Sequence, residues 1–394
     1  MTTANKIAAH PTIPGDRDIL VCIFQRGAAD GLNAVVPYFD GDYYTQRGSI
    51  AVVAPTGSGD PRYLTPEYAL HPALLPLKPI FDGNDLALVH ATGMPHQIRS
   101  HFSAQNLVER GVVEKTGPIT GWLGRHLALS PPASSSAFRA ISISGNVPVT
   151  LSGAVEPLAI DKLDDFGFEQ DILDSGYPQV LANLFHGGVP FAGPANAALA
   201  AMGELQAADL ASITPDNGAV YPNSPLGTRL LQAAQLIKSV LPVEVVCIDS
   251  DGWDHHESLP TYIALSLSDL ALSLKAFYDD IGAGLGTGTG MDRVTVLVYT
   301  EFGRRIAKNG SDGTDHGTAS LAYLMGGGVN GGQVISDWPG LVIDPDIPAT
   351  EDLQITTDLR TVITELLNKR LGGTDVGMVF PGFAGPHSAD AFWP

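Results

Sequence analysis

The sequence predicts an α/β fold built around a mainly parallel sheet, and two observations support that prediction. Short runs rich in Val, Ile and Leu recur along the chain, and each is followed by a polar turn that contains glycine. Since both alternating positions of these runs are apolar, they are typical of strands that helices cover on both faces. Stretches with helical periodicity lie between several of the runs, and a strand–helix–strand succession favours a parallel sheet.

The predicted strands and helices extend over most of the chain. The strands are Ile19–Phe24, Leu86–His90, Ala140–Ser144, Val243–Ile248 and Val294–Tyr299. The helices are Phe102–Arg110, Pro225–Val240, Tyr262–Ile281 and Thr357–Leu371. Sites in such sheets form beyond the carboxyl ends of the strands, so we expect the functional residues in the turns that follow them.

The domain organisation follows from composition along the chain. Residues 19–394 are predicted to form one domain, preceded by a flexible arm over residues 1–18. The arm has no apolar leader segment and no arginine pair, so the chain as written carries no export leader, and its compartment stays open. Residues 148–226 are rich in Ala, Gly and Pro and predict a loop-rich insertion or cap. The tract Gly282–Gly290 lacks the strand-before, helix-after order of a dinucleotide loop and predicts a turn.

The composition limits the classes of function. The chain has 394 residues, of which 44% are hydrophobic, and this is enough for a buried core. Its net charge of −20 argues against an extended nucleic-acid or anionic-membrane partner. A small anionic substrate remains compatible, because a bound dication can reverse the local potential. No apolar run reaches 18 residues, so we expect no membrane-spanning helix.

The two cysteines both lie within predicted strands. Cys22 and Cys247 each stand in an apolar run, which favours reduced, buried thiols. A disulfide or a metal site is the less favoured alternative.

Residues of metal-ligand type follow three of the predicted strands. Asp30 comes after the first strand, Asp251 and His255 follow the fourth at Asp-x-x-x-His spacing, and Glu301 stands at the tip of the fifth. Farther on, His316 lies in an AspHisGly triplet ahead of an apolar, helix-like run. Carboxylates and imidazoles are ligands that Zn²⁺ or Mn²⁺ binds, so the pattern predicts a metal site. A turn residue or a helix N-cap is the alternative for Asp30 taken alone.

Six blocks of the sequence resemble, in order, the bacterial family described as domain of unknown function 1501, which is placed in the alkaline phosphatase and sulfatase superfamily. The blocks are Phe24–Asn33, Arg99–Gln105, Gly121–Arg125, Asp251–His256, Thr300–Arg304 and Gly313–Ala319. The likeness extends from Ile19 to about Leu371. It implies a three-layer α/β/α sandwich of alkaline-phosphatase type with a two-metal site.

The resemblance also implies roles for individual residues. Asp30 matches the ligand after the first strand, and one metal would take Asp251, His255 and His316. The nucleophile lies at a helix N-terminus in this superfamily, where Ser100 matches best and Ser103 second. The fifth strand departs from the pattern, because Glu301 and Phe302 stand where an AspHis pair is usual. The second centre would then be weaker, would prefer a harder ion such as Mg²⁺ or Ca²⁺, or would be absent.

The expected function is hydrolysis or transfer of a phosphate or sulfate ester by a metal-activated nucleophile. One or two divalent ions, among Zn²⁺, Mn²⁺, Mg²⁺ and Ca²⁺, would be the cofactors. Ser100 would be the nucleophile or a plain N-cap, and Arg99 would bind the ester oxygens or form a surface salt bridge. A metal-dependent mutase and a non-catalytic, metal-stabilised binding or structural protein are the alternatives. The oligomeric state is not readable from the sequence.

Overall fold

The chain folds around a mixed sheet, described in a computed structural model for residues 18–131, 136–153, 157–163, 175–176, 180, 183–185, 192–282, 290–385 and 391–394. The strands are β1 (Ile19–Gln25), β2 (Val35–Val36), β3 (Ala69–Leu70), β4 (Leu86–Gly93), β5 (Ala140–Ser142), β6 (Leu158–Ala159), β7 (Val245–Ser250), β8 (Val294–Thr300), β9 (Ser320–Gly326), β10 (Gln333–Ile335) and β11 (Thr357–Asp358). The α-helices are α1 (Gly31–Ala34), α2 (Gly41–Arg47), α3 (Lys78–Asp82), α4 (His101–Arg110), α5 (Trp122–Leu129), α6 (Ala192–Ala208), α7 (Pro225–Lys238), α8 (Leu259–Ile281), α9 (Leu359–Arg370) and α10 (Val376–Val379). Short 3₁₀ turns cover Gly48–Ile50, Pro72–Leu77, Ala137–Arg139, Val149–Leu151, Leu210–Ser212 and Pro348–Glu351.

The central sheet is mostly parallel. Within the described residues it has nine strands in the order β10-β4-β9-β8-β1-β7-β5-β6, with β11 paired to β4. Strand β9 runs antiparallel to both of its neighbours, β4 and β8. The other pairings in the sheet are parallel. A separate antiparallel pair joins β2 and β3.

Helices cover both faces of the sheet because successive strand residues point to opposite sides. In β1, Val21 packs into one hydrophobic cluster, while Cys22 packs into another. The first cluster contains buried side chains of α7 and α8, and the second contains those of α4, α5 and α9. The prediction of a mainly parallel α/β fold is confirmed at this level.

The five predicted strands and four predicted helices are all present, with ends displaced by at most three residues. One prediction is wrong, because the helix-like run after His316 forms the strand β9. All seven residues of β9 are buried, so both of its alternating faces are apolar. A continuous apolar run of this length does not distinguish a strand from a buried helix.

The remaining predictions about organisation concern smaller features. In the Ala-, Gly- and Pro-rich segment, β6 pairs with β5 at the edge of the central sheet, and α6 follows. Most of the glycine tract and the N-terminal arm lie outside the described residues. Cys22 and Cys247 are buried and free, as predicted, and they face each other in the register of β1 and β7. None of the described helices has the length and apolar character needed to cross a bilayer.

Candidate metal centre

The strand directions bring four loops to one edge of the sheet. Strands β7, β1 and β8 are parallel neighbours, so their carboxyl ends share that edge. Because β9 is antiparallel to β8 and β4, the start of β9 and the end of β4 lie at the same edge. The loops after β1 and β7, the connection from β8 to β9 and the segment that leads from β4 into α4 therefore meet there.

One carboxylate at this edge is surrounded by three imidazoles. Ligand atoms of His101, Asp254 and His316 lie within 4.8 Å of one another. The Nε2 atom of His101 lies 3.3 Å from Asp254 Oδ2, and that of His316 lies 3.3 Å from Oδ1. The Nε2 atom of His256 lies 3.0 Å from Asp254 Oδ1 and 2.9 Å from His316 Nε2. We call these four residues the histidine cluster.

The Nδ1 atom of each ring faces a different oxygen. The Nδ1 distances are 2.8 Å from His101 to Glu301 Oε1, 2.7 Å from His316 to the Arg99 carbonyl oxygen, and 3.4 Å from His256 to Asp315 Oδ1. A carboxylate or carbonyl on one ring nitrogen fixes the tautomer and the ring orientation, so that the other nitrogen presents its lone pair. His101 and His316 have this arrangement, whereas His256 lies only at ion-pair distance from Asp315, and its Nε2 shares a hydrogen bond with His316 Nε2.

The histidine cluster fits a divalent ion on two further grounds. His101 Nε2 is buried and makes no hydrogen bond within the part of the chain that the structure describes. Buried polar atoms normally have a partner, and a metal ion would provide one. Three imidazoles and one carboxylate form a donor set that suits Zn²⁺ and similar transition ions better than Mg²⁺ or Ca²⁺.

Arg304 fixes the position of the Asp254 carboxylate. Its Nη2 donates to Asp254 Oδ1 at 2.6 Å, and its other nitrogens donate to backbone carbonyls, including those of Ala28 and Thr314. Partial burial alone would raise the pKa of Asp254, but the hydrogen bond and the charge of Arg304 outweigh it and lower that pKa to about 2. The carboxylate is therefore ionised at neutral pH.

Glu301 lies behind His101. Its Oε1 accepts hydrogen bonds from His101, from Gln105 Nε2 at 3.0 Å and from the Gly27 amide at 3.0 Å. Burial would raise the pKa of Glu301, but the hydrogen bonds from His101 and Gln105 lower it. The same hydrogen bond raises the pKa of His101. Gly27 has a φ of 120°, and a Cβ there would meet the Asp254 amide at 2.6 Å, so only glycine lets the two loops approach this closely.

The family model described as "Protein of unknown function (DUF1501)" matches residues 87–380. The chain belongs to this DUF1501 family. The match includes every residue of the histidine cluster and begins after β1 and Asp30. No curated protein matches the sequence.

Asp30 of this DUF1501 chain is engaged elsewhere. Its Oδ2 forms an ion pair with Arg47 Nη1 at 2.6 Å, and neither side chain is more than 1% exposed. Its Oδ1 accepts from the Asn33 amide at 3.0 Å, so Asp30 is the N-cap of α1. Thr314 Oγ1 donates to it as well, at 3.3 Å. The structure therefore places Asp30 in a buried ion pair and outside the histidine cluster.

The structure corrects the expected convergence of Asp251 and His255 on His316, because neither residue joins the cluster. The Asp251 side chain is 69% exposed and lies 3.5 Å from Arg229 Nη1. His255 is buried, its ring stacks on Tyr262, and its Nε2 lies 3.3 Å from Ser266 Oγ. Burial, with the charge of Arg304, lowers the pKa of His255 to about 4.

The conformation of the loop after β7 explains why Asp254 and His256 take those places. Gly252 has a φ of 87°, which turns the chain immediately after Asp251. Trp253 then inserts into the core, where it is 1% exposed and donates from Nε1 to Ser250 Oγ. The motif thus directs Asp254 and His256 towards His316.

Ser100 and Arg99 lie beside the cluster. Ser100 is the N-cap residue of α4 by position, but its exposed side chain makes no capping hydrogen bond. Ser103 is partly buried in the first turn of the same helix. Arg99 Nη2 forms an ion pair with Asp352 Oδ2, which is the salt-bridge alternative for this side chain.

Sequence reasoning missed His101, Asp254 and His256. All three stand inside blocks that carry the family resemblance, Arg99–Gln105 and Asp251–His256. The signal that could have found His101 is its helical i, i+4 spacing with Gln105, since both side chains reach Glu301.

Proposed function

We propose that this DUF1501 protein is a metal-dependent hydrolase that acts on a phosphate or sulfate ester. The observation that supports the proposal is the convergence of imidazole Nε2 atoms on Asp254, with the opposite nitrogens of His101 and His316 hydrogen-bonded to oxygens. His101, Asp254, His256 and His316 would hold one divalent ion, with Zn²⁺ or Mn²⁺ preferred.

The chain's own residues would prepare the site for an anionic ester. When bound, the ion would polarise an ester oxygen and lower the pKa of a neighbouring hydroxyl. Glu301 would keep the ring proton of His101 on Nδ1, so that Nε2 faces the centre. Ser100 offers an exposed hydroxyl that is not used in capping, one residue before His101. The N-terminus of the ten-residue helix α4 adds amide donors and a positive dipole for the anion.

One ion is a better proposal than two. In the second centre of the superfamily, Asp30 and Glu301 would have to supply free carboxylate oxygens. Asp30 is instead bonded to Arg47, and Glu301 accepts hydrogen bonds from His101, Gln105, Gly27 and Thr300. An alkaline-phosphatase type of fold remains part of the proposal, supported by the mostly parallel sheet and by the position of the cluster at the carboxyl edge.

A non-catalytic metal-binding protein is the second candidate. The observation that favours it is the ion pair between Arg99 and Asp352, which occupies the cation expected to grip the ester oxygens. A metal-dependent mutase would use the same ligands as the hydrolase and would differ in excluding water.

The test measures metal content and turnover of 4-nitrophenyl phosphate and 4-nitrophenyl sulfate on the same preparations. Wild type should carry about one ion per chain and cleave one of the esters. His316→Ala should lose both the ion and the turnover. Ser100→Ala should keep the ion and lose turnover, at a stability cost of at most about 2 kcal/mol.

Ser103→Ala is the matched control and should keep both metal and turnover. If Ser103→Ala loses turnover and Ser100→Ala keeps it, the nucleophile assignment is wrong. A wild-type protein that is fully loaded with metal and cleaves neither ester would favour the non-catalytic candidate.

A further inference from the structure

A cleft of about 660 Å³ opens beside the histidine cluster. Arg99 connects the two, because its carbonyl oxygen holds His316 Nδ1 while its side chain lines the cleft. Thr318, two residues after His316, and Asp352 also line it. The volume is in the range of small-molecule sites.

Several buried polar atoms of the cleft lining make no hydrogen bond within the described chain. His96 is 5% exposed, and neither of its ring nitrogens makes a hydrogen bond of ordinary geometry, although the ring lies close to the Glu301 backbone. Arg99 Nη1 and Asp352 Oδ1 also make no hydrogen bond within the described chain. The two side chains are paired with each other through Nη2 and Oδ2. Leaving such atoms unsatisfied is costly, so their concentration in one cleft points to a ligand that completes them.

His90 provides the contrast. It is fully buried, yet its Nε2 lies 2.9 Å from the Val35 carbonyl oxygen and its Nδ1 accepts from the Ala91 amide at 2.8 Å. The ring of His90 is thus satisfied by backbone at both nitrogens, whereas neither nitrogen of His96 makes a hydrogen bond of ordinary geometry.

The lining favours a neutral ligand with both donors and acceptors. Arg99 pairs with Asp352, and Arg305 pairs with Glu351 at 2.8 Å, so the charges of the cleft cancel. Burial lowers the pKa of His96, and a neutral imidazole offers one donor and one acceptor. Arg99 Nη1 needs an acceptor and Asp352 Oδ1 needs a donor. A hydroxyl group is both, so several hydroxyls on one small ring or chain match this set.

We propose that the cleft binds a neutral polyhydroxylated group of the sugar type, which forms the alcohol part of the ester. The inference rests on the proposed function, since the anionic part of the same ester would lie at the histidine cluster. Arg99 would then contact the alcohol part through Nη1 while its backbone holds a cluster ligand.

The test uses neutral methyl hexopyranosides as probes, with cyclohexanol as the hydroxyl-poor control. Binding is measured by saturation-transfer NMR and by calorimetry on metal-loaded wild type and on His316→Ala. Both proteins should bind at least one hexoside and should bind cyclohexanol at least about tenfold more weakly, a difference of about 1.4 kcal/mol. His96→Phe should weaken hexoside binding at least about tenfold, because both ring nitrogens are removed.

Thermal unfolding of the same variants separates a binding role from a structural one. His96→Phe should leave Tm unchanged or raise it, because it removes unsatisfied buried atoms. His90→Phe, the matched control, should lower Tm, because it strands the Val35 carbonyl and the Ala91 amide. A second cleft variant, Ala349→Trp, places an indole at an exposed lining position and should also weaken hexoside binding.

The outcomes distinguish this inference from the proposed function. Unchanged hexoside affinity in both cleft variants would overturn the assignment of the cleft, and equal binding of cyclohexanol would overturn the polyol class. If hexosides bind as expected while neither nitrophenyl ester is cleaved, the cleft assignment stands and the proposed hydrolase fails. If an ester is cleaved and no hexoside binds, the proposed hydrolase stands and the cleft assignment fails.

Discussion

Two aspartates follow neighbouring parallel strands, but their side chains lie in different surroundings. Asp30 follows β1, has a side chain that is 1% exposed and is bonded to Arg47 and to the N-terminus of α1. Asp254 follows β7, has a side chain that is 46% exposed and has three imidazole Nε2 atoms around it. A position beyond a strand end therefore does not make a carboxylate a ligand. Both carboxylates are paired with a buried arginine, Arg47 or Arg304, but Asp254 also has imidazole nitrogens beside it, and these would share a metal ion with it.

The largest expected effect comes from removing one charge of the buried pair. Asp30→Asn keeps the capping oxygen but leaves the Arg47 guanidinium without its counter-ion, so the free energy of unfolding should fall by about 3–5 kcal/mol. Metal content of the folded protein should not change. Urea denaturation and elemental analysis measure the two quantities.

Asp254→Asn is the control for that change. Arg47 and Arg304 both keep backbone carbonyl partners, but the Asp254 side chain is half-exposed whereas that of Asp30 is buried. The free energy of unfolding should therefore fall by less than in Asp30→Asn, by about 1 kcal/mol. Metal content should drop instead. Equal losses of stability in the two variants would contradict the division between a structural and a ligand aspartate.

Acid should lower the free energy of unfolding through His71 and His90, two buried histidines that lie near Asp30. Burial lowers the pKa of each to about 4, from 6.5 in the unfolded chain. Between about pH 6.5 and pH 4 the unfolded chain binds protons that the folded protein does not, so stability falls as the pH falls. The loss should approach about 3 kcal/mol for His90.

Denaturation at pH 7.5, 6 and 5 measures this slope. His90→Gln, which does not titrate, should show a shallower decline than wild type. Parallel curves for the two proteins would mean that His90 is not buried as a neutral imidazole.

The next effect in size concerns the residue behind the cluster. Glu301→Gln should weaken metal affinity about 10- to 100-fold, because His101 loses the carboxylate that orients its ring. Competition with a chelator measures the affinity. Complete loss of the ion would instead make Glu301 a direct ligand.

The smallest effect is expected at Asp251. Asp251→Ala should change the free energy of unfolding by no more than about 0.5 kcal/mol, because the side chain is exposed and its partner Arg229 is far from ideal geometry at 3.5 Å. Metal content should equal that of wild type. A metal content below that of wild type would show that Asp251 contributes to metal binding.

The sequence predicted the strands and the helices well because apolar periodicity reports burial directly. The Asp-x-x-x-His spacing selected Asp251 and His255 as partners of His316, whereas Asp254 and His256 are the residues that lie beside it. That placement depends on the burial of Trp253 and on the turn at Gly252, which spacing alone does not reveal. The antiparallel direction of β9 was also beyond the pattern, and it is this direction that brings His316 to the edge where the other loops end.

Cys22 and Cys247 can report on local opening of the sheet that carries these loops. The two thiols are 2% and 6% exposed and stand opposite each other on β1 and β7. A thiol reagent can reach them only when the helices that cover this face of the sheet move away, so the labelling rate measures the opening of that layer. An arsenical that requires both thiols at once would add a second signal, because it reacts only while the two strands remain near each other. The chain can therefore be followed in solution with no probe attached beforehand.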